Sequence, residues 1–204
     1  MRKVLLIAGI IAMALTCPVQ AQADVLFDTG LGTGYWNLDT NQWLYAKFSL
    51  SEPVTMDYAE AYTTAHSQGY NPGYATLVIY GDGGDLPDRS NTLYSEVFSA
   101  TANSWCGVSG MNLTLATGSY WLGFEVRPGN TFKGGIAGRY SVPNPLYDEA
   151  ATGSQSGGSS LYAYDALNIS VRAGTSEKVP EPATMLLLGL GLMGLTGVRR
   201  RFKR

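Results

Sequence analysis

Between residues 24 and 178 apolar side chains recur at every second position in short runs, and no run keeps helical spacing over three turns. Period two puts neighbouring side chains on opposite faces of a strand, so the pattern predicts sheets and argues against a helical bundle. In WLYAKFSL (43–50), Leu44, Ala46, Phe48 and Leu50 share one face, with Tyr45, Lys47 and Ser49 on the other. SYWLGFEVR (119–127) sets Tyr120, Leu122, Phe124 and Val126 against Trp121, Gly123, Glu125 and Arg127. Met111, Leu113 and Leu115 form a third row, and Leu167, Ile169 and Val171 a fourth, opposite Asn168, Ser170 and Arg172. YATLVIY (74–80) is apolar on both faces, as a strand with neighbours on either side would be. Val25–Asp28, Val54–Tyr62 and Leu93–Ala100 complete the candidate strands.

About eight short strands separated by the turn signals NPG (71–73), GDGG (81–84) and RPGN (127–130) predict an all-β, antiparallel β-sandwich, jelly-roll-like, over residues 24–172. ATGSQSGGSS (151–160) reads as a long surface loop before the last strand, and no repeat of fixed period is visible. Cys106 is the sole cysteine of this region, so it has no partner for an internal disulfide there; it reads as a buried small hydrophobe, with a reactive thiol as the alternative. A chain of this length buries a core without such help.

Charge separates the body from the ends. Residues 24–178 hold seven basic and fifteen acidic side chains, a net −8 that the arginines at the termini reduce to −2 for the whole chain. Such a body repels phosphate backbones, which argues against nucleic acid as a partner; plain solubility explains the excess.

The N-terminus has the form of a secretory signal, 1–23: basic Met1-Arg2-Lys3, apolar Val4–Leu15, then Ala21 and Ala23 at the positions where signal peptidase requires small residues. Cleavage is expected before Asp24; a lipoprotein attached at Cys17 is the alternative, and Thr16 and Ala14 fit it poorly. At the other end Ala183–Val198 carries no charge. Sixteen residues of helix rise about 24 Å, short of a hydrocarbon core of about 30 Å. Arg199, Arg200, Arg201, Lys203 and Arg204 can reach headgroups beyond that marginal span and would hold the C-terminus on the cytoplasmic side. No two glycines of the segment lie four apart, so the small-residue dimer motif is missing. A span this weak suits a temporary tether. Pro180 and Pro182 disfavour helix at the residues before them, leaving Val179–Glu181 extended and open to a protease, and AGTSEK (173–178) forms a polar linker.

Pro180-Glu181-Pro182, the short Leu/Gly-rich segment and the terminal arginines, in that order, resemble the PEP-CTERM sorting signal, here residues 179–204. Val179 and Ala183-Thr184 extend the match to VPEPAT. The resemblance implies processing by an exosortase, an integral membrane cysteine protease, after transient anchoring in the inner membrane of a Gram-negative bacterium that makes exopolysaccharide. A permanent C-terminal anchor is the competing reading. LVIYGDGGDLPD and YWLGFEVRPG resemble the β-sandwich bodies often joined to such tails, and through them carbohydrate-binding and lectin-like sandwiches.

Chemistry-bearing residues are few. His66 is the single histidine and no G-x-S-x-G elbow accompanies it, so a serine triad has little support and no catalytic residue is assigned. One histidine and one body cysteine cannot fill a zinc site. A pair of carboxylates for glycoside hydrolysis would be assembled in space, and nothing along the chain singles one out. Asp82, Asp85 and Asp88 lie in one glycine-rich loop and could offer hard oxygen ligands to Ca²⁺, although acidic turns commonly serve as solvated hairpins. Trp36, Trp43, Trp105 and Trp121 all fall in the body; Trp121 and Trp43 sit opposite the main apolar rows and could present indoles to a pyranose, or pack the second face of a sheet. The expectation is an exported, non-enzymatic surface or matrix protein associated with exopolysaccharide; a carbohydrate-binding module and a secreted glycoside-active hydrolase are the alternatives.

Overall fold

A computed structural model describes residues 24–65, 69–147, 150–153, 161–164 and 167–175. The signal segment with Ala21 and Ala23, His66, residues 154–160, and the whole sorting tail with its motif, helix and basic cluster lie outside the described residues, while 151–153, expected as the start of a surface loop, belong to a strand instead.

Among the described residues thirteen strands follow one another: β1 (Val25–Asp28), β2 (Gly34–Leu38), β3 (Trp43–Leu50), β4 (Val54–Thr64), β5 (Gly73–Asp82), β6 (Pro87–Ala100), β7 (Ser104–Leu115), β8 (Gly118–Glu125), β9 (Gly134–Arg139), β10 (Ala150–Gly153), β11 (Tyr162–Tyr164), β12 (Asn168–Ile169) and β13 (Val171–Gly174). Every pairing is antiparallel. Six strands form one sheet in the order β11-β10-β3-β8-β5-β6. The other seven form a second sheet in which β4 pairs with β7, β13 and β9, and β9 in turn with β2 and β12. The chain crosses between sheets at most connections, as expected of a jelly-roll-like sandwich.

The core lies between the sheets. Leu44, Ala46, Phe48 and Leu50 of β3, Leu77 and Ile79 of β5, and Leu122 and Phe124 of β8 meet Met56, Ala59 and Ala61 of β4, Val108 of β7, Ile136 of β9, and Ile169 and Val171. These are the rows that alternation picks out, since a face buried against a second sheet admits apolar side chains at every second position. Cys106 belongs to this core, buried and unpaired, as expected. Its thiol lies among hydroxyls: Thr63 Oγ1 donates to Sγ at 3.3 Å and Ser104 Oγ sits 3.2 Å away. Burial raises the thiol pKa, but hydrogen bonds from Ser104, Thr101 and Thr63 outweigh it and bring it below the usual cysteine value.

Two differences from expectation have local causes. The run 111–115 belongs to the longer β7, whose pairing with β4 slips between Met56 and Tyr58. Gly110 (φ 75°) and Asn112 (φ 47°) take left-handed backbone there, and the resulting bulge breaks the alternation that would have exposed the full strand. β9 escaped notice because its glycines are contact residues: a Cβ on Gly135 would sit 2.6 Å from Trp36 O, and one on Gly138 (φ 141°) 2.2 Å from Asn168 O. Glycine here permits close approach of strands, while in sequence it resembles punctuation.

Candidate functional site

Trp121, Trp43 and the Asp82 loop all fall on the outer face of the six-stranded sheet. β3, β8 and β5 lie side by side, so Trp43, Tyr45, Val78, Tyr80 and Trp121 gather into a second apolar cluster, flanked by Leu86 and Leu161. The indoles do face away from the main core, but they are covered: Trp121 is 0 % exposed and Trp43 4 %. Trp121 Nε1 donates to Asp82 Oδ1 at 3.3 Å, and Trp43 Nε1 to the Val126 carbonyl at 3.2 Å. Lys47 Nζ lies 5.7 Å from the Trp121 ring centroid and the Arg89 guanidinium 5.1 Å from that of Trp43. Neither indole can serve as an exposed platform for a sugar, which corrects that expectation.

Beneath this cluster sits a charge. Glu125 is fully buried, and its Oε1 accepts from Tyr45 OH at 2.7 Å and Tyr80 OH at 3.1 Å, while Oε2 accepts from Arg127 Nε at 2.5 Å. Arg127 donates onward to Tyr80 OH at 3.0 Å and to Ser95 Oγ at 3.0 Å. Burial drives the Tyr45 and Tyr80 hydroxyls above the usual phenol range, and the neighbouring Glu125 carboxylate pushes both further. A carboxylate satisfied by three donors is held in place. Nothing in the strand pattern announces this network; a Glu facing a Tyr row across adjacent strands is its only trace in sequence.

The three aspartates take separate roles. Asp82 pairs with Lys47 at 3.1 Å and accepts from Gly84 N at 3.0 Å. Burial raises its pKa, but the hydrogen bonds from Lys47, Gly84 and Trp121 together outweigh it and lower it. Asp88 accepts from Ser90 N at 3.0 Å and Ser90 Oγ at 2.6 Å, which lowers its pKa too, and Asp85 is exposed. Among the described residues no three His, Cys, Asp or Glu side chains come together as metal ligands.

A different feature opens to solvent at one end of the sandwich. A cleft of about 400 Å³ is lined by Asp39, Thr40, Asn41, Asn71, Asn130, Thr131, Phe132 and Lys133. Each wall is a turn held from within. Thr40-Asn41 is the two-residue loop joining β2 to β3, with Asp39 Oδ1 accepting from Asn41 N at 2.7 Å and Gln42 N at 3.0 Å. Asn130 N donates to Arg127 O at 2.9 Å, and Asn130 Oδ1 accepts from Thr76 Oγ1 at 2.7 Å. Asn71 and Lys133 exchange backbone bonds at 2.9 and 3.0 Å, and Asn71 Nδ2 reaches Thr131 O at 2.8 Å. Gly73 admits this last wall: a Cβ there would meet Thr131 Oγ1 at 2.3 Å and Phe132 N at 2.9 Å. Sequence reasoning missed the cleft, since NPG and RPGN read simply as turns and their meeting with residues 39–41 is a matter of topology.

Residues 178–201 match the family model of the PEP-CTERM protein-sorting motif. That span includes Pro180-Glu181-Pro182 and Arg199–Arg201. No curated protein matches the chain. An all-β body thus precedes a match to the PEP-CTERM sorting motif, and that motif implies export, transient membrane anchoring and processing by an exosortase.

Proposed function

We infer that the processed protein is a non-enzymatic component of the outer surface or extracellular matrix, residing beside exopolysaccharide of a Gram-negative producer. The observation that carries this reading is the sorting motif attached to a body whose open cleft is lined by amides, hydroxyls and a single carboxylate, Asp39. Glycoside hydrolysis needs two carboxyl groups facing across the bond, about 5–9.5 Å apart. The buried carboxylate of the outer face, Glu125, is tied down by Tyr45, Tyr80 and Arg127. A rigid, acidic sandwich suits a matrix constituent, whose task is to persist and stay soluble outside the cell.

Replacing Pro180-Glu181-Pro182 with three alanines tests delivery. The variant is expected to stay in the inner-membrane fraction at unprocessed mass, while the native protein leaves it shortened. If mass and location of the two proteins coincide, the motif does not direct processing. Absence of catalysis has its own check: incubation of the mature protein with the producer's deproteinised exopolysaccharide should release no new reducing ends, and their steady appearance would make the protein a hydrolase.

A further inference from the structure

The geometry points to the end cleft between Thr40-Asn41, Asn71 and Asn130–Lys133 as a binding site for a segment of neutral polysaccharide. This rests on the reading of the protein as a matrix component and names what it would hold there. Its volume of about 400 Å³ falls in the range of small-ligand sites, about 300–1,000 Å³. The lining selects the chemistry. Amide and hydroxyl groups offer donors and acceptors side by side, as a polyol requires, and one carboxylate is offset by one ammonium. A polyanion would approach a body of net −8 with only Lys133 to receive it there. A peptide binds by extending a sheet edge or filling an apolar groove, and turns with polar tips provide neither.

The walls are also ready-made. The internal hydrogen bonds of Asp39, Asn71 and Asn130 fix the three turns before any ligand arrives, so little ordering cost remains for binding. The side chains of Thr40 and Asn41 are exposed and make no hydrogen bond with the described residues, leaving their polar atoms to a ligand. Phe132 is the apolar member of the lining and is itself buried, its ring meeting that of Tyr70 edge-on at 6.4 Å between centroids.

The test uses mature protein purified from the producing cells on an array of neutral gluco-, xylo- and manno-oligosaccharides, with uronic-acid oligosaccharides as comparators. At least one neutral series should bind in preference to the uronates. The double variant Thr40→Ala/Asn41→Ala should bind that series at least about tenfold more weakly at unchanged thermal stability, since two unshared polar side chains are removed. Glu52→Gln, an equally exposed change in the turn between β3 and β4, should leave affinity unchanged. A silent array, a preference for uronates, or equal affinity in the double variant overturns the assignment. Silence on the array from protein correctly delivered outside the cell removes the cleft alone; binding by protein whose location ignores the alanine triplet upholds the cleft and removes the delivery reading.

Discussion

Trp121→Ala separates a core indole from a ligand platform, because the two roles predict different stabilities. Trp121 is the largest of the fully buried side chains and packs with Trp43, Tyr45, Val78 and Tyr80. Truncating a buried tryptophan to alanine costs about 3–5 kcal/mol through lost transfer energy and the cavity left behind. The hydrogen bond from Nε1 to Asp82 is also lost, as is the ring under Lys47, which places the total at the upper end, about 4–5 kcal/mol. In a body of this size each kcal/mol moves the midpoint by about 2–4 °C, so Tm should fall by about 10–15 °C. Trp121→Phe keeps an aromatic ring but loses the N–H and part of the indole's volume, and should cost about 1–2 kcal/mol. Thermal unfolding of the mature protein followed by far-UV circular dichroism, with urea unfolding as the check on ΔG, reads both variants. An exposed platform would tolerate the alanine within about 0.5 kcal/mol. A fall in Tm below about 3 °C would therefore refute the view that this outer face is a sealed second core.

Alkaline pH should unfold the body in step with its buried phenols. Burial, reinforced by Glu125, raises Tyr45 and Tyr80, and burial with the Glu96 hydrogen bond pushes Tyr94 up to about 12. The unfolded phenols titrate near 10, so the folded state holds more protons above that pH; the stability is full below about pH 10 and declines as pH rises. Tyrosinate absorbance at 295 nm and loss of circular dichroism should share a transition, and complete ionisation of a still-folded protein would contradict the network. Gly107→Ala should force β4 and β7 apart, since its Cβ would lie 2.0 Å from Ala59 O and 2.7 Å from Glu60 Cα, both backbone. A loss of at least about 2–3 kcal/mol is expected by urea unfolding, and a variant of native stability would mean the strands are not this close.

Much of the fold is legible from alternation. The inward rows of β3, β8 and β13 lie where period two places them, because a strand in a sandwich has one face that must be apolar. The strands that escaped include β9 and the first half of β7, whose pattern is broken by close approach or by a bulge, and the short β2 and β10, which fall in stretches rich in glycine and polar residues. For the candidate site the legible part was smaller: Trp43 and Trp121 were correctly set on the outer face, but their exposure was not readable there.

Residue order by itself determined the C-terminal sorting motif and the faces of the strands. A sorting signal is read by enzymes as a linear string, and the side of a strand on which a residue stands follows from its parity alone. Tertiary structure alone decided what covers each face. Lys47 and Arg89 lie over Trp121 and Trp43, Arg127 closes on Glu125, and the turns at 40, 71 and 130 converge on one cleft. Each of these depends on segments far apart in the chain meeting in space. Burial is set by neighbours, and for strands crossing between two sheets those neighbours are assigned by topology.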